Sequence, residues 1–158
     1  MTAMTQVTLR PITDENRAAV LALDVSDAQH DYVADVAQSL ADAELYPHAM
    51  PWYRAVYADD EPVGFVMISD NAVTDDPEVL GPYFLWRLLI DARYQGRGYG
   101  RATIQHIIEY VRTRPDAEDL LTSVVPGEEG SPMGFYLGLG FIDTGVDHEG
   151  ERVLRLPL

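Results

Sequence analysis

The chain has no cysteine, and its 158 residues contain 11 Lys plus Arg, every one of them arginine. Without cysteine there is no disulfide framework, no thiolate metal site and no cysteine nucleophile. Without lysine there is no G-x-x-x-x-G-K-[ST] nucleotide loop, because that loop needs its Lys at the phosphates. Positive charge is scarce altogether: 26 Asp plus Glu leave a formal net charge of -15. A field of that sign repels nucleic acid and anionic membranes and attracts cations, so neither nucleic acid nor membrane is expected as a partner. The same acidity also serves plain solubility. No apolar run nears the roughly 20 residues that a membrane-crossing helix needs. The opening MTAMTQVTLR lacks a basic region followed by an apolar stretch, so no leader is expected and a cytoplasmic protein is the expectation.

What is present is the composition of a folded domain, 47% apolar and 23% charged. The length suits one domain over residues 1–158, with 1–5 expected to be flexible. Val7 to Thr13 alternates apolar and polar side chains, as a half-buried strand does. Asp14 stands where it can cap a helix through about Leu23. Val33, Val36, Ala37 and Leu40 repeat at helical spacing within Gln29 to Asp42. Trp52–Ala58 and Val63–Ser69, joined by the turn DDEP, read as an antiparallel hairpin. Tyr83–Asp91 is apolar almost throughout and belongs in the centre of a sheet. Ile104, Ile107, Ile108 and Val111 make an amphipathic helix stopped by Pro115. A strand over DLLTSVV, a short helix in MGFYLGLGF and a closing hairpin of FIDTGVD with RVLRLPL complete a mixed α/β chain.

Directly behind the central strand stands YQGRGYGRA (Tyr94 to Ala102). Strand, glycine-rich turn, helix is a device for holding phosphate. The first amides of a helix have no partner, the helix dipole adds about half a positive charge there, and glycine keeps side chains away. The dinucleotide fingerprint G-x-G-x-x-G fails, because Arg101 and Thr103 stand where its last glycine would fall. Gln95-x-x-Gly98-x-Gly100 does fit the Q/R-x-x-G-x-G/A signature of acetyl-coenzyme A binding, and at this point the sequence resembles the GNAT superfamily of N-acetyltransferases. Tyr136 followed by Gly140 and Phe141 resembles that family's Y-x-x-x-G-F, one strand beyond the loop. The order of elements matches along essentially the whole chain. Within the superfamily, VPGEEGSPMGFYLGLGF with EPVGFVMI is most similar to the diamine and spermidine acetyltransferase branch.

The resemblance implies an α/β (α+β) fold: a mixed, mostly antiparallel central sheet of about seven strands, about four flanking helices and a splayed strand pair for acetyl-CoA. It implies that Gln95, Gly96, Arg97, Gly98, Tyr99 and Gly100 grip the pyrophosphate, with Arg101 adding charge. Backbone groups near Leu88, Leu89 and Ile90 would pair with the pantetheine arm. Acetyl transfer to an amine needs two proton movements, since an amine of pKa about 10 is ammonium at neutral pH and has no lone pair. The leaving thiolate, with a conjugate acid of pKa about 8.5, departs more easily beside a donor. The resemblance gives that general-acid role to Tyr136; a packing tyrosine is the alternative. Several relatives carry a Glu base on the strand before the coenzyme loop, but here Trp86 and Arg87 stand there. Glu44 or Asp70, acting through water, are the remaining candidates. Gly138 is a second departure, because relatives usually have a long polar residue there.

In relatives the acceptor site is walled by the region that here carries Asp24, Asp27, Asp31, Asp35, Asp42 and Glu44. A small cationic amine, in particular a polyamine or diamine, is therefore the expected substrate, with Asp31, Asp35, Glu44 and His48 as its contacts. For any single one of these acids a solvated helix face is the plainer account. His30, His48, His106 and His148 have no metal-ligand spacing, and no metal is expected. Trp52, Tyr53 and Tyr57 read as strand packing. Two alternatives stay open: an acetyltransferase for an aminoglycoside, an amino acid or a protein N-terminus, and a catalytically silent acyl-coenzyme A sensor. Relatives are commonly dimers, so the resemblance allows a homodimer.

Overall fold

In the computed structural model, which describes residues 5–30, 32–127 and 131–158, a seven-stranded sheet separates two groups of helices. The chain runs β1 (Val7–Arg10), α1 (Arg17–Leu21), α2 (Val36–Leu45), β2 (Pro51–Ala58), β3 (Glu61–Asp70), β4 (Tyr83–Ile90) and α3 (Tyr99–Arg112). It continues with β5 (Asp119–Val124), α4 (Met133–Gly138), β6 (Ile142–His148) and β7 (Glu151–Pro157). The strand order is β1-β2-β3-β4-β5-β7-β6, with every pair antiparallel except β4 and β5. This is the mixed sheet that the resemblance implied.

Alternation along β3 builds both halves of the core. Val66 and Ile68 face α3 and α4 together with Leu85, Ile104, Ile107, Val111 and Leu154. Phe65 and Met67 face α1 and α2 with Val20, Leu23, Val36 and Leu89. Successive side chains of a strand point to opposite faces, and each large apolar one fully buried contributes about 1.5–3 kcal/mol. The helical spacing of α3 is observed as expected: Ile104, Ile107 and Val111 are buried and Ile108 packs against the same core. The closing hairpin turns at Glu149 and Gly150, both at positive φ (50° and 84°), which suits the twist of its strands.

The first two helices differ from expectation. Asp14 caps nothing; Asn16 stands at the N-terminus of α1 without a side-chain cap bond. Its side chain is spent elsewhere: Oδ1 accepts from the Thr13 N–H, and Nδ2 donates to the Pro11 carbonyl and the Tyr57 hydroxyl. The helix expected from Gln29 begins only at Val36, because the Asp35 carboxylate accepts the Gln38 N–H at 2.8 Å and starts α2 there. Ser26 and Gln29 cap a separate short turn, Asp27–Gln29.

Two features of β4 create the site. Met67 pairs with Arg87 and Ile68 with Leu85, so Trp86 is an extra residue in β4. Such a bulge bends and twists its strand. On the other side, β4 pairs with β5 only at Phe84–Leu121 and Leu85–Thr122. Beyond Leu85 the two strands part.

Candidate functional site

The parted strands leave the second half of β4 with an open edge. The Asp91 N–H donates to the Val63 carbonyl at 2.9 Å. By the alternation of an antiparallel ladder, Leu89 turns its backbone groups to β3, whereas Leu88 and Ile90 turn theirs toward the gap. The gap leads to the mouth of α3. There Gly98 is the N-cap at φ 84°, and no side chain caps the first amides. Gly96 also has positive φ (78°), and a Cβ built at either glycine would meet nothing within 4 Å. The mouth is therefore bare backbone facing open space, with unpartnered N–H groups and the positive end of a 14-residue helix dipole. Arg97, Tyr99, Gly100 and Arg101 complete the turn. The Arg97 guanidinium lies 5.6 Å from the Tyr94 ring. Gln95 is exposed, its Nε2 donating to the Ile90 carbonyl at 2.8 Å and to Gln29 Oε1 at 2.7 Å.

The buried Asp91 ties this turn down. Its carboxylate accepts from the Arg93 N–H and Nε and from the Asp24 N–H. Burial pushes its pKa up, and the Arg93 side chain and these two backbone donors outweigh that, holding it below the ordinary carboxylate value.

A cavity of about 580 Å³ opens beside the gap. Leu88, Thr122, Val124 and Tyr136 line its inner part. Tyr136 is 6% exposed, and its ring meets Phe135 and Phe141 edge-on at 5.1 and 5.3 Å. Burial alone pushes its hydroxyl well above the usual tyrosine value, so the phenol keeps its proton at neutral pH. The charged part of its lining is mostly acidic, with Asp42, Glu78, Glu149, Glu151, His148 and Arg87. Arg87 stands on β4, the strand on which an acid was wanted. Its Nη2 donates to Asp42 at 2.7 Å and its Nη1 to the Trp86 carbonyl at 3.0 Å, while Nε is buried without a partner among the described residues. Burial lowers the Arg87 pKa, opposed by the charges of Asp42 and Glu151.

Of the expected acceptor contacts, the described ones do not line this cavity. Asp31 lies outside the described residues. Asp35 is an exposed helix cap bordering a neighbouring depression with Asp24 and His30. Glu44 is exposed on α2 and does not line the cavity. His48 is also outside it, donating to Asp76 at 2.7 Å. Asp70 is held by the Tyr110 hydroxyl and by Arg114 at 2.9 Å. Sequence reasoning missed Glu78, Glu149, Glu151 and the Arg87–Asp42 pair. The hairpin was legible, but its turn reaches the cavity only because β7 inserts between β5 and β6. Among the described residues no group of three or more His, Asp or Glu could hold a metal ion, and no helix is long and apolar enough to cross a membrane.

Residues 13–141 match the Acetyltransferase (GNAT) family. The chain belongs to that family. It is an acyltransferase, as its turn and gap suggested. A spermine/spermidine N(1)-acetyltransferase of Bacillus subtilis (strain 168) is 29% identical over 149 residues, 94% of this chain and 96% of the relative. A peptidyl-lysine N-acetyltransferase of Escherichia coli (strain K12) is 31% identical over 135 residues, 84% and 78% of the two chains. The PaiA N-acetyltransferase of Thermoplasma acidophilum, solved with coenzyme A, shares the GNAT fold at a TM-score of 0.70 and 10% identity, covering 97% and 99%.

Proposed function

We propose that this GNAT protein binds acetyl-coenzyme A at the mouth of α3 and transfers the acetyl group to a primary amine of a di- or polyamine. The turn suits a diphosphate: its amides are uncapped and both positive-φ glycines face open space, so nothing stands between the phosphates and the backbone. Gly96, Arg97, Gly98, Tyr99, Gly100 and Arg101 would hold the diphosphate. The outward backbone groups of Leu88 and Ile90 suit the amides of the pantetheine arm. Gln95 and Leu89 would act from behind, Gln95 as a brace on Ile90 and Leu89 as a rung of the ladder to β3. The bound thioester supplies an activated acetyl carbon.

The chain's own groups do the rest. Tyr136 keeps a proton at Oη on the inner wall of the cavity, where it serves as the general acid for the departing sulfur. Glu78 and Glu149 receive the charges of the acceptor's far amines. The observation that carries this reading is the shared cavity, lined by a buried phenol and by a surplus of carboxylates. The Bacillus subtilis relative, matched over 94% of this chain, supports the same acceptor class.

A thiol-release assay with acetyl-coenzyme A and a panel of spermidine, putrescine, an aminoglycoside, free amino acids and a lysine peptide tests it. Turnover with spermidine or putrescine supports the proposal. Turnover confined to the other amines moves the acceptor, and coenzyme binding without any turnover makes the protein a sensor.

A further inference from the structure

Resting on the amine-acetylation reading above, we infer that the Glu151 carboxylate takes the proton from the acceptor ammonium, so that β7 supplies the base that β4 lacks. The carboxylate accepts one proton from nitrogen, directly or through one water. The freed lone pair then forms the bond to the thioester carbon, and the carbon–sulfur bond breaks with its electrons on sulfur. The Tyr136 hydroxyl protonates that sulfur. The nitrogen's second proton restores the phenol through solvent, and Glu151 releases the first to water, leaving one proton net in solution.

Position and elimination converge on this residue. Glu151 opens β7, and the next residue, Arg152, pairs with Val124 at the end of β5 that has left β4. It is half-buried, held by the sheet rather than by a loop, and lines the same cavity as Leu88 and Tyr136. Among the described residues, the other carboxylates there are engaged or peripheral. Asp42 is bound by Arg87 and by the Gln38 amide. Glu78 accepts from the Tyr46 hydroxyl at 3.3 Å on an exposed loop. Glu149 sits at the turn, its side chain 58% exposed and 3.8 Å from His148. Nearby cations are taken as well: Arg152 binds Asp143 and Asp147, Arg155 lies against Asp119, and Arg87 holds Asp42. Glu151 makes no side-chain hydrogen bond or ion pair among the described residues; its charge reaches Arg87, whose guanidinium is bonded to Asp42, and its carboxylate is left to act on a substrate. The charged and titratable groups described in its cavity are Arg87 and Asp42, His148 and Glu149 on its own hairpin, Glu78 and His30, and the phenols of Tyr32, Tyr46 and Tyr136.

The test is kcat/KM for spermidine from about pH 6 to 10 in the wild type, Glu151→Gln, Glu151→Asp and Glu149→Gln. With a built-in base, ammonium and carboxylate coexist across the middle of the range, so the wild-type profile is flat there. Without it only amine already deprotonated in solution reacts. Glu151→Gln should fall about 1000-fold near pH 7 and then climb about tenfold per pH unit, meeting the wild type near the amine pKa of about 10. Glu151→Asp should keep the flat shape at a lower level. Glu149→Gln should raise KM without changing the shape, and coenzyme affinity should hold in all three variants. A Glu151→Gln profile parallel to the wild type, lowered or not, overturns the inference while leaving amine acetylation standing. A wild type silent with every amine overturns both.

Discussion

Replacing Tyr136 by Phe deletes one oxygen and leaves the packing untouched. Both edge-on contacts, with Phe135 at 5.1 Å and Phe141 at 5.3 Å, belong to the ring and survive. No hydrogen bond contributes to the hydroxyl's raised pKa, so its loss should change stability by no more than about 1 kcal/mol. Turnover should respond differently. General acids supply roughly 100- to 10,000-fold, but a thiol of pKa about 8.5 is a fair leaving group even without a proton. Burial also raises the phenol, which makes proton transfer to sulfur less favourable. The expected loss in kcat is therefore toward the lower end, about 10- to 1000-fold, or roughly 1.4–4 kcal/mol of barrier. Thiol release at saturating amine measures it, calorimetry with coenzyme A should show unchanged affinity, and a thermal melt checks the fold. There is an internal check at alkaline pH. A folded-state pKa above the unfolded one means that stability is complete below about pH 10 and declines as pH rises past it. The Phe variant escapes that decline and should resist alkaline unfolding better than the wild type. Full turnover in Tyr136→Phe would remove the hydroxyl from the chemistry and leave only a packing ring.

Two further perturbations probe the turn. Gly98→Ala meets no neighbour within 4 Å, so its cost is that of a left-handed backbone at φ 84°, about 1–2 kcal/mol in urea titration. Coenzyme A affinity should fall by about tenfold or more as a methyl group enters the space before the amides, and undiminished affinity would refute the diphosphate site. Asp91→Asn weakens the bonds that hold Arg93 and the Asp24 N–H. The native carboxyl is depressed, so its stabilisation is present above the unfolded value of about 3.9 and fades as pH falls through the folded one. Melting curves should separate wild type and variant near neutral pH and draw together as pH falls; a gap that does not narrow at all in acid would show that the bonds were not carried by the charge.

What the sequence disclosed was local. Strand, bare turn and helix are contiguous, so the mouth of α3 could be read from Gln95 to Arg101, and β4 announced itself by its apolar run. The starts of α1 and α2 were harder, because several polar side chains competed for each cap. Asn16 was drawn off to Pro11 and Tyr57, and Asp35 claimed Gln38, so that α2 starts at Val36 and not at Gln29. The acceptor end was not local at all. Its acids come from the loop after β3 and the β6–β7 turn, brought together by a strand inserted out of sequence order.

That displacement bears on the substrate. The α2 acids looked like the cation site, yet Asp35 is a cap, Glu44 does not line the cavity and Asp42 is paired with Arg87. Removing that pair from the cavity leaves Glu78, Glu149 and Glu151 against no free arginine. A monoamine needs one such group, whereas a di- or triamine brings a charge for each. With one carboxylate assigned to the reacting nitrogen, two remain for the far end of the chain. This argues for an acceptor with more than one amine, even though the acids first suspected are not the ones that would hold it.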